Sequence, residues 1–329
     1  MRRIIVIAVL VVAILGVGLW WTHFHRSPAE EVFAAERHVT LWSSTAMVRE
    51  PLATLGYGER LEVVSRLGDN LEVRTGQGVV GWVDSRQLLD ATLWNRVTKL
   101  NELARAMPAQ AFGHTKAVSN LRIEPGREGQ RIIQLGRYVP LDVLARKVVE
   151  VPVDAKAEES EEETSARKED WVLVRAQVKD LGELAGWMLG RFIELDMPSP
   201  LPDYATSAGM HVIGWFELDR VPDAEGKMRP QYLVVGQRGG EGQSCDFTLL
   251  RVYTWGARRK RYETAFVESG VCGKLPVRVE QPERSGGDAT FRFAAVTDGG
   301  DEPLEYRMHQ TIVRRVRTGE KPRAHKSHH

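Results

Sequence analysis

The sequence predicts a mainly β protein: an N-terminal transmembrane helix, two small β-barrel domains, and a β-rich C-terminal domain of barrel or sandwich type. Three observations carry this. An uncharged apolar run, Ile4 to Trp21, follows Arg2 and Arg3. Short segments alternating apolar and polar residues at period two recur from residue 61 onward, separated by glycines and prolines, as half-buried strands are. Two stretches of the chain also align with each other.

The apolar run has 18 residues, which as a helix spans about 27 Å, near the hydrocarbon thickness of a bilayer. Trp20 and Trp21 end it, where aromatic rings favour the interface. A cleaved signal has a shorter core and a small-residue cleavage site; Ser27-Pro28-Ala29 and Ala34-Ala35 fit that poorly. Residues 1–24 therefore read as an uncleaved signal anchor. Arg2 and Arg3 place the N-terminus in the cytoplasm and the bulk of the chain outside the inner membrane. Residues 25–38 read as a tether.

Composition narrows the function classes. With 45 Lys+Arg against 44 Asp+Glu the net charge is +1, which argues against wholesale nucleic-acid binding. The two cysteines, Cys245 and Cys272, exclude a disulfide-dense scaffold and a multi-cysteine metal site. Outside the cytoplasm they are expected to pair, closing a loop for about 3 kcal/mol in the chain-entropy model. The competing role for Cys245 is that of a nucleophile. It heads the strand-like SCDFTLL, and His309 is an isolated partner with no orienting residue, so the disulfide is favoured.

Residues 39–90 form the first β-domain. Residues 91–113 connect it to the next by a helix with Trp94, Val97, Asn101, Ala104 and Met107 on one face, widened by Leu93, Leu100 and Leu103. Asp90 or Thr92 can cap its start, and Pro108 limits its end. Residues 114–196 form the second β-domain, interrupted at 150–169 by an acidic insertion containing DAKAEESEEE. Met197 to Pro202 reads as a stiff linker. Seven strand-like segments fill residues 204–318, and 319–329 read as a disordered tail. In this last domain, Phe216 to Gly226 resembles the acidic turn of calcium-binding propeller blades only faintly. Arg220 and Val221 stand where a calcium loop wants Asp or Gly, so a polar hairpin turn is expected. Arg258 to Arg261 and Arg314 to Arg317 make the domain locally basic, either as a solvated face or as a surface meeting anionic polymers.

The internal repeat reads Met47-Val-Arg-Glu-Pro51, Leu55 to Val63, Leu71-Glu-Val-Arg74 and Gly81-Trp-Val83 in its first copy. The second reads Asn120-Leu-Arg-Ile-Glu-Pro125, Leu135 to Val143, Trp171 to Arg175 and Gly186-Trp-Met188. This order resembles the bacterial SH3-like (SH3b) domain, with Asn120-Leu121-Arg122, Trp171 to Val174 and Gly186-Trp187 matching its pattern; the first copy departs at Met47 and Leu71. The resemblance implies two small five-stranded barrels that bind rather than catalyse, many such domains taking cell-wall peptides in an aromatic-lined groove. Tyr57, Trp82, Tyr138 and Trp187 are the corresponding groove candidates, with packing of the barrel as the competing role for each. No Ser–His–Asp elbow, HExxH, phosphate loop or dinucleotide fingerprint is present. The sequence therefore reads as a non-enzymatic, membrane-anchored envelope protein without cofactor or metal. Its expected partner is peptidoglycan or an envelope protein. The alternatives are a cell-wall hydrolase with its site in the C-terminal domain and a structural assembly subunit.

Overall fold

The computed structural model describes residues 30–151 and 167–316. The expected membrane span 4–21, the acidic run 154–163 and the tail 319–329 lie outside these residues. Among the described residues no helix is long and apolar enough to cross a membrane, so the expected transmembrane helix is no part of the described fold. The chain divides into two compact units, 1–95 and 96–329, the second β-domain and the C-terminal sheet sharing one unit.

The first unit is a seven-stranded antiparallel sheet: β1 (Glu31–Ala34), β2 (His38–Trp42), β3 (Pro51–Gly56), β4 (Arg60–Leu67), β5 (Asn70–Thr75), β6 (Val80–Asp84) and β7 (Leu88–Asp90), ordered β3-β2-β6-β5-β4-β1-β7. Its alternation puts Val39, Leu41, Leu61, Leu71, Val73 and Val83 into one core. The expected closed barrel is absent: no ladder joins the outer strands β3 and β7. The SH3-like resemblance implied five strands, and β1 lies in the stretch read as tether. Its Glu-Val-Phe-Ala alternates all the same, burying Val32 and Ala34 between β4 and β7.

The helix α1 (Ala91–Ala106) starts where Asp90 Oδ1 accepts the Leu93 N–H at 2.7 Å. Val97 and Ala104 lie on its buried face as expected, whereas Leu103 points to solvent. In the second unit, Asn101 Oδ1 accepts the Ala185 N–H at 2.6 Å, and Leu100, Ala104 and Met107 pack on Leu144, Leu173, Ala185 and Trp187.

The second repeat comprises β8 (Ala111–Thr115), β9 (Ser119–Arg122), β10 (Arg131–Leu135), β11 (Pro140–Val151), β12 (Arg167–Val178), β13 (Gly182–Leu189) and β14 (Ile193–Leu195). Its order, β10-β9-β13-β12-β11-β8-β14, is the order of the first copy strand for strand, and it too is an open sheet, not a barrel. The likeness extends to detail. A β-bulge follows Val63 in β4 and Val143 in β11. Glu62 pairs with Arg74 across strands, and Asp142 with Arg175. Gly58 and Tyr138 both adopt positive φ, and their N–H groups donate to Ala34 and Thr115 carbonyls at 2.8 Å in each case. The strand pairing also corrects the sequence alignment: Val73, opposite Val63, and Val174, opposite Val143, are equivalent, so the counterpart of Leu71 is Val172, not Trp171. Strands β11 and β12 run into the insertion read at 150–169, so Glu150 and Arg167 to Glu169 are strand residues.

The segment read as linker ends in a short helix, α2 (Leu201–Ser207), in which Pro202 is tolerated because first-turn N–H groups need no helical partner. The C-terminal sheet then runs as a meander: β15 (His211–Pro222), β16 (Met228–Gln237), β17 (Phe247–Gly256), β18 (Arg261–Glu280), β19 (Asp288–Thr297), β20 (Gly300–His309) and β21 (Ile312–Arg315), paired in chain order. This is neither the barrel nor the sandwich expected, but one open sheet curled over one core, to which Leu218, Leu233, Phe247, Val277, Phe291 and Tyr306 contribute. Side chains bridge early strands to late ones: Gln281 Nε2 donates to the Glu217 carbonyl at 2.9 Å, and Gln231 Nε2 to the Gln310 carbonyl at 2.9 Å. Two segments read as separate strands, YETAFVE and PVRVE, are one strand of 20 residues, β18, whose ladder slips between Lys274 and Arg278 around Pro276. Strand β20 was missed. The acidic segment 216–226 is the end of β15 and a hairpin turn, in which Asp223 Oδ1 accepts the Glu225 and Lys227 N–H groups at 3.0 and 2.9 Å. No group of metal-ligating side chains occurs among the described residues.

Equivalent glycines mark a close strand approach in each repeat. A Cβ on Gly81 would lie 2.7 Å from the Trp42 carbonyl oxygen, and one on Gly186 would lie 2.9 Å from that of Arg122. Backbone cannot swing aside as a side-chain tip can. Gly81→Ala and Gly186→Ala are each expected to lower the unfolding free energy by about 2 kcal/mol. Urea unfolding of the full chain checks this, and an effect below about 0.5 kcal/mol would contradict it.

Candidate functional site

The second repeat and the C-terminal sheet meet along a seam built by two buried polar side chains. Gln110, fully buried between α1 and β8, accepts the Val277 N–H at 2.7 Å through Oε1 and donates from Nε2 to the Pro108 carbonyl at 2.8 Å. Its own carbonyl accepts the Trp215 N–H at 3.1 Å. Arg146 does more. The bulge in β11 shifts the alternation by one residue, so Val143 and Arg146, three apart, both line one face. The Arg146 side chain is only 3% exposed. Its Nη2 donates to Asp170 Oδ1 at 2.6 Å, and its Nη1 to the carbonyls of Gln243 and Cys245 at 3.0 and 3.1 Å. Asp246 Oδ1 lies 3.4 Å from Nη1, and its Oδ2 accepts the Leu275 N–H at 2.9 Å. Burial pushes the Asp246 carboxyl up from the usual carboxylate range, against the pull of the Leu275 N–H and Arg146.

Beside this network is a cavity of about 370 Å³. Val143, Val172, Ile193, Leu195, Val212 and Leu275 make its apolar wall. Its polar wall holds Lys116, Arg146, Asp170, Arg191, His211, Gln237 and Glu241. Most of these charges are matched within the protein. Arg191 bonds the buried Glu169 at 3.2 Å and lies 3.8 Å from Glu241. Glu169 also accepts from Arg127 Nη2 at 2.6 Å, and that hydrogen bond leads the interactions that hold its carboxyl below the usual range. Arg146 Nε and the Gln237 amide are the exceptions: Nε is buried without a partner, and Gln237 is fully buried, neither its Oε1 nor its Nε2 having a hydrogen-bond partner among the described residues. An unmatched buried amide costs about 1–3 kcal/mol per group left unsatisfied, so this wall is built at a cost that an occupant can offset.

The four aromatic candidates divide between the units, and none lines this cavity. Tyr57 packs 5.6 Å from Trp94 in the first unit, its hydroxyl buried without a partner and its acidity suppressed by burial. Trp82 faces Trp42 across the strands, and the Arg49 guanidinium sits 4.3 Å over the Trp42 ring. In the second unit Tyr138 is 67% exposed beside His114 and Arg137. Trp187 packs against Ala104 and Leu144. Cys245 and Cys272 form the expected disulfide, so Cys245 is not available as a nucleophile. His309 instead pairs with Asp288 at 2.8 Å. Sequence reasoning missed Arg146 and Gln237. The available signals were an arginine inside the apolar strand segment Leu141 to Val151 and a glutamine closing the apolar run Leu233 to Val235.

No family model matches the chain, and no curated protein matches it. Among solved structures it is similar to an NlpC/P60 family protein from Bacillus cereus ATCC 10987, at 12% identity over 73% of this chain and 99% of that one, with a TM-score of 0.20. It is also similar to NlpC1 from Trichomonas vaginalis, at 8% identity over 85% of this chain and 88% of that one, with a TM-score of 0.18. For NlpC2 from Trichomonas vaginalis the values are 8%, 88%, 97% and 0.17. At such scores the likeness carries no argument about fold or activity.

Two measurements check the site's chemistry. Glu169 has a lowered folded pKa, so its contribution is present above its ordinary value of 4.5 and is lost as pH falls through the folded value. Glu169→Gln is expected to cost about 2 kcal/mol at pH 7 in urea unfolding, the difference from wild type shrinking in acid; a pH-independent difference would contradict the assignment. Thiol titration of the unreduced full chain is expected to find no reactive cysteine, and after reduction the two that the sequence holds. A free thiol before reduction would show that the bridge does not form.

Proposed function

We propose that this chain is a non-catalytic binding protein of the cell envelope. In this reading residues 4–21 attach it to the inner membrane, the N-terminus stays in the cytoplasm, and the bulk lies outside. The two repeats are SH3-like in motif order. The second of them, with the C-terminal sheet, holds a small ligand in the seam cavity. One observation carries the reading: the paired amide atoms of Gln237, buried and unmatched among the described residues, in the wall of a largely apolar cavity of about 370 Å³. That size falls in the range of about 300–1,000 Å³ typical of small-molecule sites. The Arg146–Asp170 and Arg191–Glu169 pairs consume most of the charge in and beside the wall, so the ligand is uncharged where it is enclosed and carries a hydrogen-bonding group for Gln237. A peptide-like fragment of peptidoglycan or of an envelope protein has this chemistry. The Cys245–Cys272 disulfide is consistent with an oxidising compartment.

A cell-wall hydrolase is the alternative reading, with which the similar solved structures are compatible without arguing for it. With Cys245 in the disulfide, hydrolysis would need a nucleophile or base elsewhere.

Val172→Phe fills the cavity from a half-buried wall position. The full chain purified from its own envelope fraction is expected to retain a small molecule detectable by mass spectrometry after solvent extraction, and Val172→Phe to retain at least about tenfold less. Equal retention by both proteins would overturn the cavity as the binding site. Release of soluble fragments from peptidoglycan by the wild-type chain would favour the hydrolase.

A further inference from the structure

We infer a second ligand site, for an acidic saccharide, in the cleft between α2 and strands β16 to β18. The cleft has a volume of about 500 Å³ and shares no residue with the seam cavity. Four aromatic residues from four elements converge on it: Tyr204 of α2, Tyr232 of β16, Trp255 of β17 and Tyr262 of β18. Tyr262 is central. Its ring lies 5.3 Å from Trp255, 5.9 Å from Tyr232 and 6.3 Å from Tyr204, with interplanar angles of 81°, 49° and 78°. Rings set so steeply make the walls of a box rather than one flat platform. A puckered sugar ring, with C–H groups on both faces, suits such walls better than a flat base does. The Trp255 indole N–H is buried and has no acceptor among the described residues.

The rim supplies the charge preference. Lys227, Lys260 and Arg261 line the cleft, all exposed and without an ion pair among the described residues. No carboxylate lines it. Asp223 is already bonded by Arg229 at 2.9 Å, and Glu217 by Arg220 at 2.5 Å, so neither is left over to cancel the three cations. Arg229 in turn lies 4.8 Å over the Trp255 ring. In a chain of net charge +1 such a concentration is local, not a general property of the surface. The basic run Arg258 to Arg261 is thereby resolved: Arg259 pairs with Glu263, while the positive φ of Lys260 turns the chain so that Lys260 and Arg261 line the cleft.

Calorimetry on the full chain in detergent tests this with three probes: trigalacturonate, the neutral maltotriose, and tripolyphosphate, an anion without a ring. Trigalacturonate is expected to bind at least about tenfold more tightly than either, with an affinity that falls as salt rises. The surface variant Lys227→Gln/Arg261→Gln is expected to lose about tenfold, with its circular dichroism unchanged. Val172→Phe, which fills the other cavity, leaves this binding as it is. Equal binding of tripolyphosphate would reduce the site to charge alone, equal binding of maltotriose would remove the cations from it, and no binding by any probe would remove the site. Each of these overturns the proposal.

Discussion

The second unit depends on one buried guanidinium. Arg146 leaves β11 and reaches the loop between β16 and β17, where it meets two carbonyls and Asp246, while Asp170 of its own sheet holds its other arm. A charge so nearly sealed from water is tolerated because both Nη groups are hydrogen-bonded, although Nε has no partner among the described residues, and removing one partner from such a set costs about 3–5 kcal/mol. The network sets the distance between two layers that apolar packing alone would let slide. The space left beside it is the cavity. Asp170 Oδ1 takes a further hydrogen bond from the Gly242 N–H at 2.9 Å, so the loop lining the cavity is held by the same carboxylate.

The repeat shows how one scaffold position acquires different work. Arg66 stands opposite Leu71 in the first copy as Arg146 stands opposite Val172 in the second. Arg66 is largely exposed and pairs with Glu30 at the surface, a type of pair worth about 0–1 kcal/mol. Arg146 meets the same strand geometry with a second sheet laid over it, and becomes the pivot of a seam. An arginine inside a strand segment is common to both copies, so that signal alone does not separate them. The difference comes from the C-terminal sheet.

That contrast explains what could be read from the chain. The β class, the repeat, the helix face from Val97 to Ala104, the cap at Asp90 and the disulfide all rest on local patterns or on pairwise constraint, and they were legible. Closure was not: whether a sheet meets its own edge depends on strands such as β1, whose four residues lie in what reads as a polar tether. The bulges were hidden for a similar reason. A one-residue slip shows only against the partner strand, as does the pairing that makes Val172, not Trp171, the counterpart of Leu71. The site itself was least legible. Trp187 was singled out for its ring and turned out to pack under α1, whereas Gln237 is unremarkable in sequence and matters only because two layers close over it.

The slip in β18 around Pro276 has a consequence for how the seam tolerates change. Where the ladder is interrupted, the N–H groups of Leu275 and Val277 turn to Asp246 and Gln110 instead of to a neighbouring strand. Recognition there runs from side chain to backbone, so on one side of the seam it does not depend on which side chains are present. The join itself therefore places its demand on a glutamine and an aspartate far away in the chain, while the side chains of Leu275 and Val277 answer only to the cavity wall and the core that they line. A lineage could rebuild the outer face of β18 freely and keep the two layers joined, provided those two acceptors and the break at the proline persist.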